Sequence, residues 1–159
     1  MKLAISSLLL ALAGFAAYTN SPDRTNAIDE ASSFDPVAVS GIEAAVLDYV
    51  EGIYDVQPDR IERSVSKDLV KYGYWRASAD AEYGGSAMNF EQLKALAGSW
   101  NANNRQKLTD KTPKEIKVLD VLDKTATAKL TAQWGVDYFQ LEKSGDKWMI
   151  RHVLWQSHP

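Results

Sequence analysis

The stretch WGVDYFQLEKSGDKWMIRHVLW, residues 134–155, decides how this chain folds. Its two halves alternate apolar and polar side chains and meet at Gly145 and Asp146, which is the pattern of two strands joined by a tight turn. A two-residue turn at this point pairs Leu141 with Ile150 and fixes which side chains share a face. We therefore predict a β-hairpin with one largely apolar face.

Two polar residues fall on that apolar face. The same register pairs Phe139 with His152 and Asp137 with Leu154, so that Asp137 lies diagonally opposite His152. A carboxylate and an imidazole in apolar surroundings need partners, because an unpaired buried charge costs several kcal/mol. We predict that both side chains face a pocket, where they bind a ligand or act as general base and acid. The alternative is that Asp137 caps the bend at Gly135 and His152 is an ordinary core histidine.

The hairpin continues a longer series of strands. Alternation in the second half of the chain predicts four antiparallel strands, at about residues 115–122, 125–134, 136–143 and 147–156. The segment DLVKYGYWR, residues 68–76, is rich in β-branched and aromatic side chains and predicts an earlier strand. The next segment, ASADAEYGGSAM, residues 77–88, lacks periodicity and predicts a mobile loop.

Helical patterns dominate the first half of the domain. Residues 35–53 repeat apolar side chains at helical spacing, and they begin with Asp35, which can cap a helix, and Pro36. QPDRIERSV, residues 57–65, predicts a second short helix, and Asn89 precedes a third. Helices followed by a meander predict an α+β domain, in which a curved antiparallel sheet packs on N-terminal helices and leaves a cone-shaped cavity.

The first residues have the layout of a secretory signal peptide. In residues 1–20, Lys2 precedes an apolar run that ends in small residues. Residues 21–33 are polar and predict a disordered linker, after which the domain spans residues 34–159. We therefore expect a secreted or periplasmic protein, with an uncleaved membrane anchor as the alternative.

The composition argues against several classes of partner. The chain has 159 residues, a formal net charge of −3 and no cluster of basic side chains, so neither nucleic acid nor a membrane surface is expected as a partner. Two distant histidines and no cysteine predict that there is no metal site. No glycine-rich phosphate loop or nucleophile motif indicates a cofactor.

Two long segments of the sequence carry a family resemblance. AVLDYVEGIYDVQPDRIERSVSKDLVKYG, residues 45–73, and ATAKLTAQWGVDYFQLEKSGDKWMIRHVLW, residues 126–155, resemble the putative lumazine-binding family. That family lies within the nuclear transport factor 2-like, or SnoaL-like, superfamily. The resemblance implies a nuclear transport factor 2-like, cystatin-like roll with a pocket between sheet and helices, a fold that isomerases, cyclases and dehydratases share. Lumazine binding is implied by the family label alone.

Aromatic side chains and one lysine are the other candidate ligand contacts. Their rings could stack on a flat ligand, and Lys71, which ends the DLVK motif, could meet an anionic group. These ligand-binding candidates are Tyr49, Lys71, Tyr74, Trp100, Trp134 and Phe139. The alternative is that the aromatic rings are simple core and that Lys71 is solvated.

Three functions are compatible with these patterns. We favour an exported domain that binds a small hydrophobic or heteroaromatic molecule, because no complete catalytic set is visible. The second is a cofactor-independent isomerase, cyclase or dehydratase, in which Asp137 or His152 moves a proton next to a carbonyl. The third is a homodimeric interaction domain whose outer sheet face includes Met149, Val153 and Trp155. A homodimer is also compatible with the first two.

Overall fold

A six-stranded sheet packs against one long helix in the computed structural model, which describes residues 34–158. The helices are α1 (Pro36–Tyr54), α2 (Pro58–Ser64) and α3 (Phe90–Ala97), followed by a short 3-10 turn at Ala102–Asn104. The strands are β1 (Val65–Trp75), β2 (Gly84–Met88), β3 (Lys114–Val121), β4 (Thr125–Ala132), β5 (Gly135–Ser144) and β6 (Lys147–Ser157). The predicted signal peptide, residues 1–20, and the linker, residues 21–33, lie outside the described residues.

Helix α1 forms where its sequence pattern predicts it. The Asp35 carboxylate accepts a hydrogen bond from the backbone N–H of Val37 at 3.1 Å, and Pro36 occupies the first turn. Its buried face, which packs on the sheet, repeats at helical spacing and consists of Ile42, Ala45, Val46, Tyr49, Val50 and Ile53. Within the described residues, no helix is long and apolar enough to cross a membrane.

The strands follow the order β2-β1-β6-β5-β4-β3. Strands β3 to β6 form the predicted antiparallel meander, whereas β1 joins β6 in parallel. The predicted loop at residues 77–88 contains the edge strand β2, which pairs with β1. The sequence signal for β2 is weak because its side chains are small and largely exposed. One of its residues, Gly85, lies under the Tyr72 ring, where a Cβ atom would come within 2.3 Å of the Tyr72 hydroxyl.

A β-bulge changes the predicted register of the hairpin halfway along. Glu142 pairs with Met149 and Leu141 with Ile150, which confirms the register near the turn. Arg151 is then an extra residue on β6, and the next pairs join Gln140 to His152 and Phe139 to Val153.

The predicted pairing of Phe139 with His152 is therefore wrong, and His152 lies on the outer face of the sheet while Asp137 lies on the inner face. The bulge also turns two residues of the predicted dimer surface inward. Val153 is buried and Trp155 is half-buried, with the Trp155 indole packed against the backbone of Gly73. An outer face built from Val153 and Trp155 is therefore ruled out, and a homodimer stays a prediction.

Candidate functional site

A buried ion pair lies between helix α1 and the inner face of the sheet. Asp137 on β5 is fully buried, and the side chain of Lys71 on β1 is 4% exposed. The Lys71 ammonium donates hydrogen bonds to Asp137 Oδ1 at 3.2 Å and to the Tyr49 hydroxyl oxygen at 2.7 Å. The Tyr49 hydroxyl in turn donates to Asp137 Oδ1 at 3.2 Å. Three residues from three separate elements thus form one closed polar triangle.

The second carboxylate oxygen of Asp137 is bonded to an indole. Trp134 Nε1 donates to Asp137 Oδ2 at 2.6 Å. Trp134 lies in the two-residue turn between β4 and β5, and it is followed by Gly135, whose φ of 149° favours glycine. A Cβ atom on Gly135 would lie 2.0 Å from the carbonyl oxygen of Gln156, so only glycine fits where the turn enters β5.

Aromatic rings enclose the polar triangle. Tyr49 makes edge contacts with Phe139, with ring centroids 5.1 Å apart, and with Trp134, at 6.3 Å. The Lys71 ammonium lies 5.3 Å from the centroid of the Trp155 ring. Tyr49 and Asp137 are fully buried, whereas Trp134 and Trp155 are half-buried, so each charge of the ion pair has a partly exposed indole beside it.

A second aromatic layer supports Trp134 from the side of α1. Trp134 makes edge contacts with Tyr54 and Trp100, and the rings of Tyr54 and Trp100 stack 5.9 Å apart. The Tyr54 hydroxyl accepts from the backbone N–H of Gln133 at 2.7 Å, which fixes the turn, and donates to the carbonyl of Pro113. The position of the indole over Asp137 thus depends on hydrogen bonds as well as on packing.

Burial and charge shift the proton affinities of two groups in the triangle. Burial raises the pKa of Tyr49 well above its usual value, and the neighbouring Asp137 charge raises it further. Burial lowers the pKa of Lys71, while the Asp137 carboxylate opposes that shift. The site therefore keeps Tyr49 protonated as a hydrogen-bond donor and brings an ammonium, a hydroxyl and a carboxylate together in one buried cluster.

The structure brings together most of the side chains predicted to line a pocket. Tyr49 contacts Asp137, Lys71, Trp134 and Phe139, and Trp100 joins this group through Trp134. The alternative that Lys71 is solvated is wrong. Whether any of these residues binds a ligand stays a prediction.

Two predicted site residues lie elsewhere. His152 is exposed on the outer face, where its Nδ1 bonds to Gln140 Oε1 at 2.9 Å, so its side chain does not meet that of Asp137. Tyr74 is 45% exposed because it alternates with Lys71 along β1, and it packs on Tyr72. The sequence patterns did not indicate Tyr54 and Trp155 as residues of this cluster. The bulge concealed the inward direction of Trp155. For Tyr54, the available signal was its i,i+4 spacing from Val50 on the buried face of α1.

The described part of the chain contains no group of three His, Asp or Glu side chains that could hold a metal ion. The buried cluster itself offers hydrogen-bonding groups, charge and aromatic surface. Its groups can bind a polar edge of a flat molecule or move a proton.

We expect Lys71→Met to lower the free energy of unfolding by about 3–5 kcal/mol, because it leaves the Asp137 carboxylate buried without its cation. Adding Asp137→Asn to this variant should restore part of the loss, which a double-mutant cycle in urea would measure. The matched control is Arg151→Met, which breaks the exposed Arg151 to Asp68 pair and should cost less than about 1 kcal/mol. Equal costs at the two sites would contradict a buried pair at Lys71.

We expect Tyr49→Phe to reduce the loss of stability at alkaline pH. The pKa of Tyr49 is raised above its usual value of 10.0, so the stabilisation that follows from this shift is complete at pH values below 10.0. It is lost as the pH rises further, because tyrosine then ionises in the unfolded chain while Tyr49 stays protonated in the fold. Urea titrations between about pH 8 and 11 should show a smaller decline for Tyr49→Phe than for the parent. The exposed control Tyr138→Phe should follow the parent, and parallel curves for all three proteins would refute the raised pKa.

Comparison with known proteins agrees with this architecture. Residues 38–156 match the model of a family described as "Putative lumazine-binding". No curated protein sequence matches the chain. Among solved structures, a nuclear transport factor 2-like protein of unknown function from Methylobacillus flagellatus is 17% identical, with a TM-score of 0.57, and the alignment covers 80% of this chain and 97% of that one.

Two further structures are similar at the level of the fold. A nuclear transport factor 2-like protein of unknown function from Silicibacter pomeroyi is 13% identical over 76% of this chain and 95% of that one, with a TM-score of 0.55. A protein with a cystatin-like fold from Novosphingobium aromaticivorans is 12% identical over 86% of this chain and 91% of that one, with a TM-score of 0.52.

The family match extends from α1 to the end of β6 and therefore includes every element that supplies a residue to the buried cluster. The solved structures, at these low identities, support the fold alone. Both findings confirm the predicted resemblance. The chain thus belongs to the family described as "Putative lumazine-binding" and has the nuclear transport factor 2-like, cystatin-like α+β fold.

Proposed function

We propose that this protein binds a small heteroaromatic molecule between α1 and the sheet, with Asp137, Lys71 and Tyr49 as its polar contacts. The observation that carries the proposal is the fully buried ion pair of Lys71 and Asp137. Such a pair adds little net stability compared with apolar side chains of the same volume, so its presence favours a functional role. Membership of the family also indicates small-molecule binding.

The donors and acceptors of the cluster fit one kind of ligand edge. Lys71 and Tyr49 can donate to a carbonyl oxygen, while Asp137 can accept from an adjacent ring N–H. A pyrimidinedione ring, such as that of lumazine, has carbonyl and N–H groups side by side. The flat ring system would lie among Tyr49, Trp134 and Phe139, where aromatic stacking adds to the hydrogen bonds.

Access to this site requires Trp134 to move. The Trp134 indole N–H is hydrogen-bonded to Asp137 Oδ2, and Trp134 lies in a two-residue turn and not in the middle of a strand. A ligand N–H can replace the indole N–H on the same oxygen, so the carboxylate exchanges one donor for another. The displaced indole then becomes a stacking surface at the entrance.

A proton-transfer enzyme is the second candidate function. Tyr49, Lys71 and Asp137 are bonded to one another, so they could pass a proton to or from a carbon next to a bound carbonyl. The lowered pKa of Lys71 favours this role. Asp137 would act with Lys71 and Tyr49 instead of with His152, and the reaction would be that of an isomerase or a lyase.

Lumazine fluorescence titration tests the proposal directly. We expect saturable binding to the parent and binding at least about tenfold weaker in the Lys71→Met, Asp137→Asn double variant. The matched control is Arg151→Met with Asp68→Asn, which removes an exposed ion pair and should bind like the parent. Tyr49→Phe is the milder variant if the double variant does not fold.

The outcomes of this titration separate the candidates. No saturable binding of lumazine by the folded parent, or equal binding by the two double variants, would refute a lumazine-type site at Asp137. Incubation of the bound probe followed by chromatography distinguishes binding from turnover, since a binding protein returns it unchanged.

We also propose that the protein is exported, which is supported by Lys2 and the apolar run in residues 1–20. The expected result is a mature chain that begins between about Ala13 and Ser21. Expression of the full chain in a bacterium, fractionation and mass measurement would determine this. A full-length chain in the cytoplasm would contradict export.

A further inference from the structure

A groove lies on the outer face of the sheet, on the side opposite Asp137. It has a volume of about 570 Å³, which is within the range of small-molecule sites. Its walls include large apolar side chains that are more than one third exposed. These are Val70, Tyr72, Leu119, Tyr138 and Leu154.

Two β-bulges direct side chains into this groove. Leu119 is the extra residue of a bulge in β3, between the pairs that Val118 and Asp120 make with β4. The bulge at Arg151 in β6 turns His152 to the outer face. Bulges often re-aim side chains beside functional sites, and here two bulges on separate strands supply residues to the same groove.

The groove has one polar pair among its apolar walls. His152 Nδ1 lies 2.9 Å from Gln140 Oε1, a contact that corresponds to the tautomer with the hydrogen on Nδ1. In that tautomer Nε2 is the acceptor, and among the described residues it has no hydrogen-bond partner. The Gln140 amide nitrogen offers a donor beside it. An apolar surface with a few placed polar groups is the usual composition of a ligand site.

The charges around the groove restrict the kind of occupant. A recess of about 370 Å³ shares Gln140 and His152 with the groove and is bordered by Asp120 and Glu142. Arg151 also borders it, but its guanidinium is bonded to Asp68 at 2.7 Å. Carboxylates therefore outnumber free cations at this end, whereas Lys129, which pairs with Tyr138, lies beyond the other end. The walls of the groove itself carry no carboxylate, lysine or arginine, so they offer no charged partner to an ionic ligand.

We propose that the outer groove binds an uncharged aromatic molecule that carries a hydroxyl group. The ring system lies against Tyr72, Tyr138 and Leu154, and the hydroxyl donates to His152 Nε2. This site is separate from the one at Asp137 and does not depend on it.

The probe for this site is 2-naphthol, added to isotope-labelled full chain and followed by NMR. Saturable shifts are expected at Tyr138, His152 and Leu154. Leu154→Glu and His152→Leu should each weaken binding by at least about tenfold, whereas Leu122→Glu, which changes an exposed leucine outside the groove, should change it less than about twofold. The anionic analogue 2-naphthoate should bind at least about fivefold more weakly than 2-naphthol.

Several results would overturn the proposal. One is binding of 2-naphthol that Leu154→Glu and His152→Leu leave unchanged, and another is no saturable binding at all. A third is a parent that sediments as a dimer and becomes a monomer in Leu154→Glu, because a second copy would then occupy the groove. The Lys71→Met, Asp137→Asn variant should keep its affinity for 2-naphthol, so failure of the outer site and of the inner site can be distinguished.

Discussion

The buried pair of Lys71 and Asp137 is the constraint around which the inner face of this protein is arranged. Neither charge can lie in an apolar core without partners, and the chain supplies them from α1, β1, β5 and the turn before β5. Tyr49 and Trp134 each use their one hydrogen-bond donor on the Asp137 carboxylate. The surrounding aromatic rings are consequently held by hydrogen bonds and by packing at once, which limits the ways in which the inner face can rearrange.

Most of the fold could be predicted from the sequence, because its signals are local. The cap at Asp35, the apolar repeat of α1 and the alternation of the last four strands each depend on neighbours within one element. The edge strand β2 and the parallel contact of β1 with β6 could not be predicted in the same way. They depend on backbone groups and distant strands, and five small or exposed side chains leave no pattern.

The candidate site shows the same division between local and distant information. Asp137 could be predicted to face inward because the alternation of β5 is regular up to that residue. His152 could not be placed correctly, since one extra residue at Arg151 exchanges the two faces of β6, and no turn or glycine at that point marks the bulge. Lys71 follows the alternation of β1, but its burial depends on a carboxylate that is supplied by another strand.

The parallel contact between β1 and β6 has a consequence for how the chain acquires its structure. The strand in the middle of the sheet is the last one to be synthesised, and without it β1 and β5 would each present an unpaired edge. Closure of the sheet must wait for the final strand of the domain. Val70 pairs with His152, 82 residues further along the chain, and contacts of such long range raise the contact order and favour slow folding. During that interval the unpaired strand edges of the nascent chain can aggregate or bind chaperones.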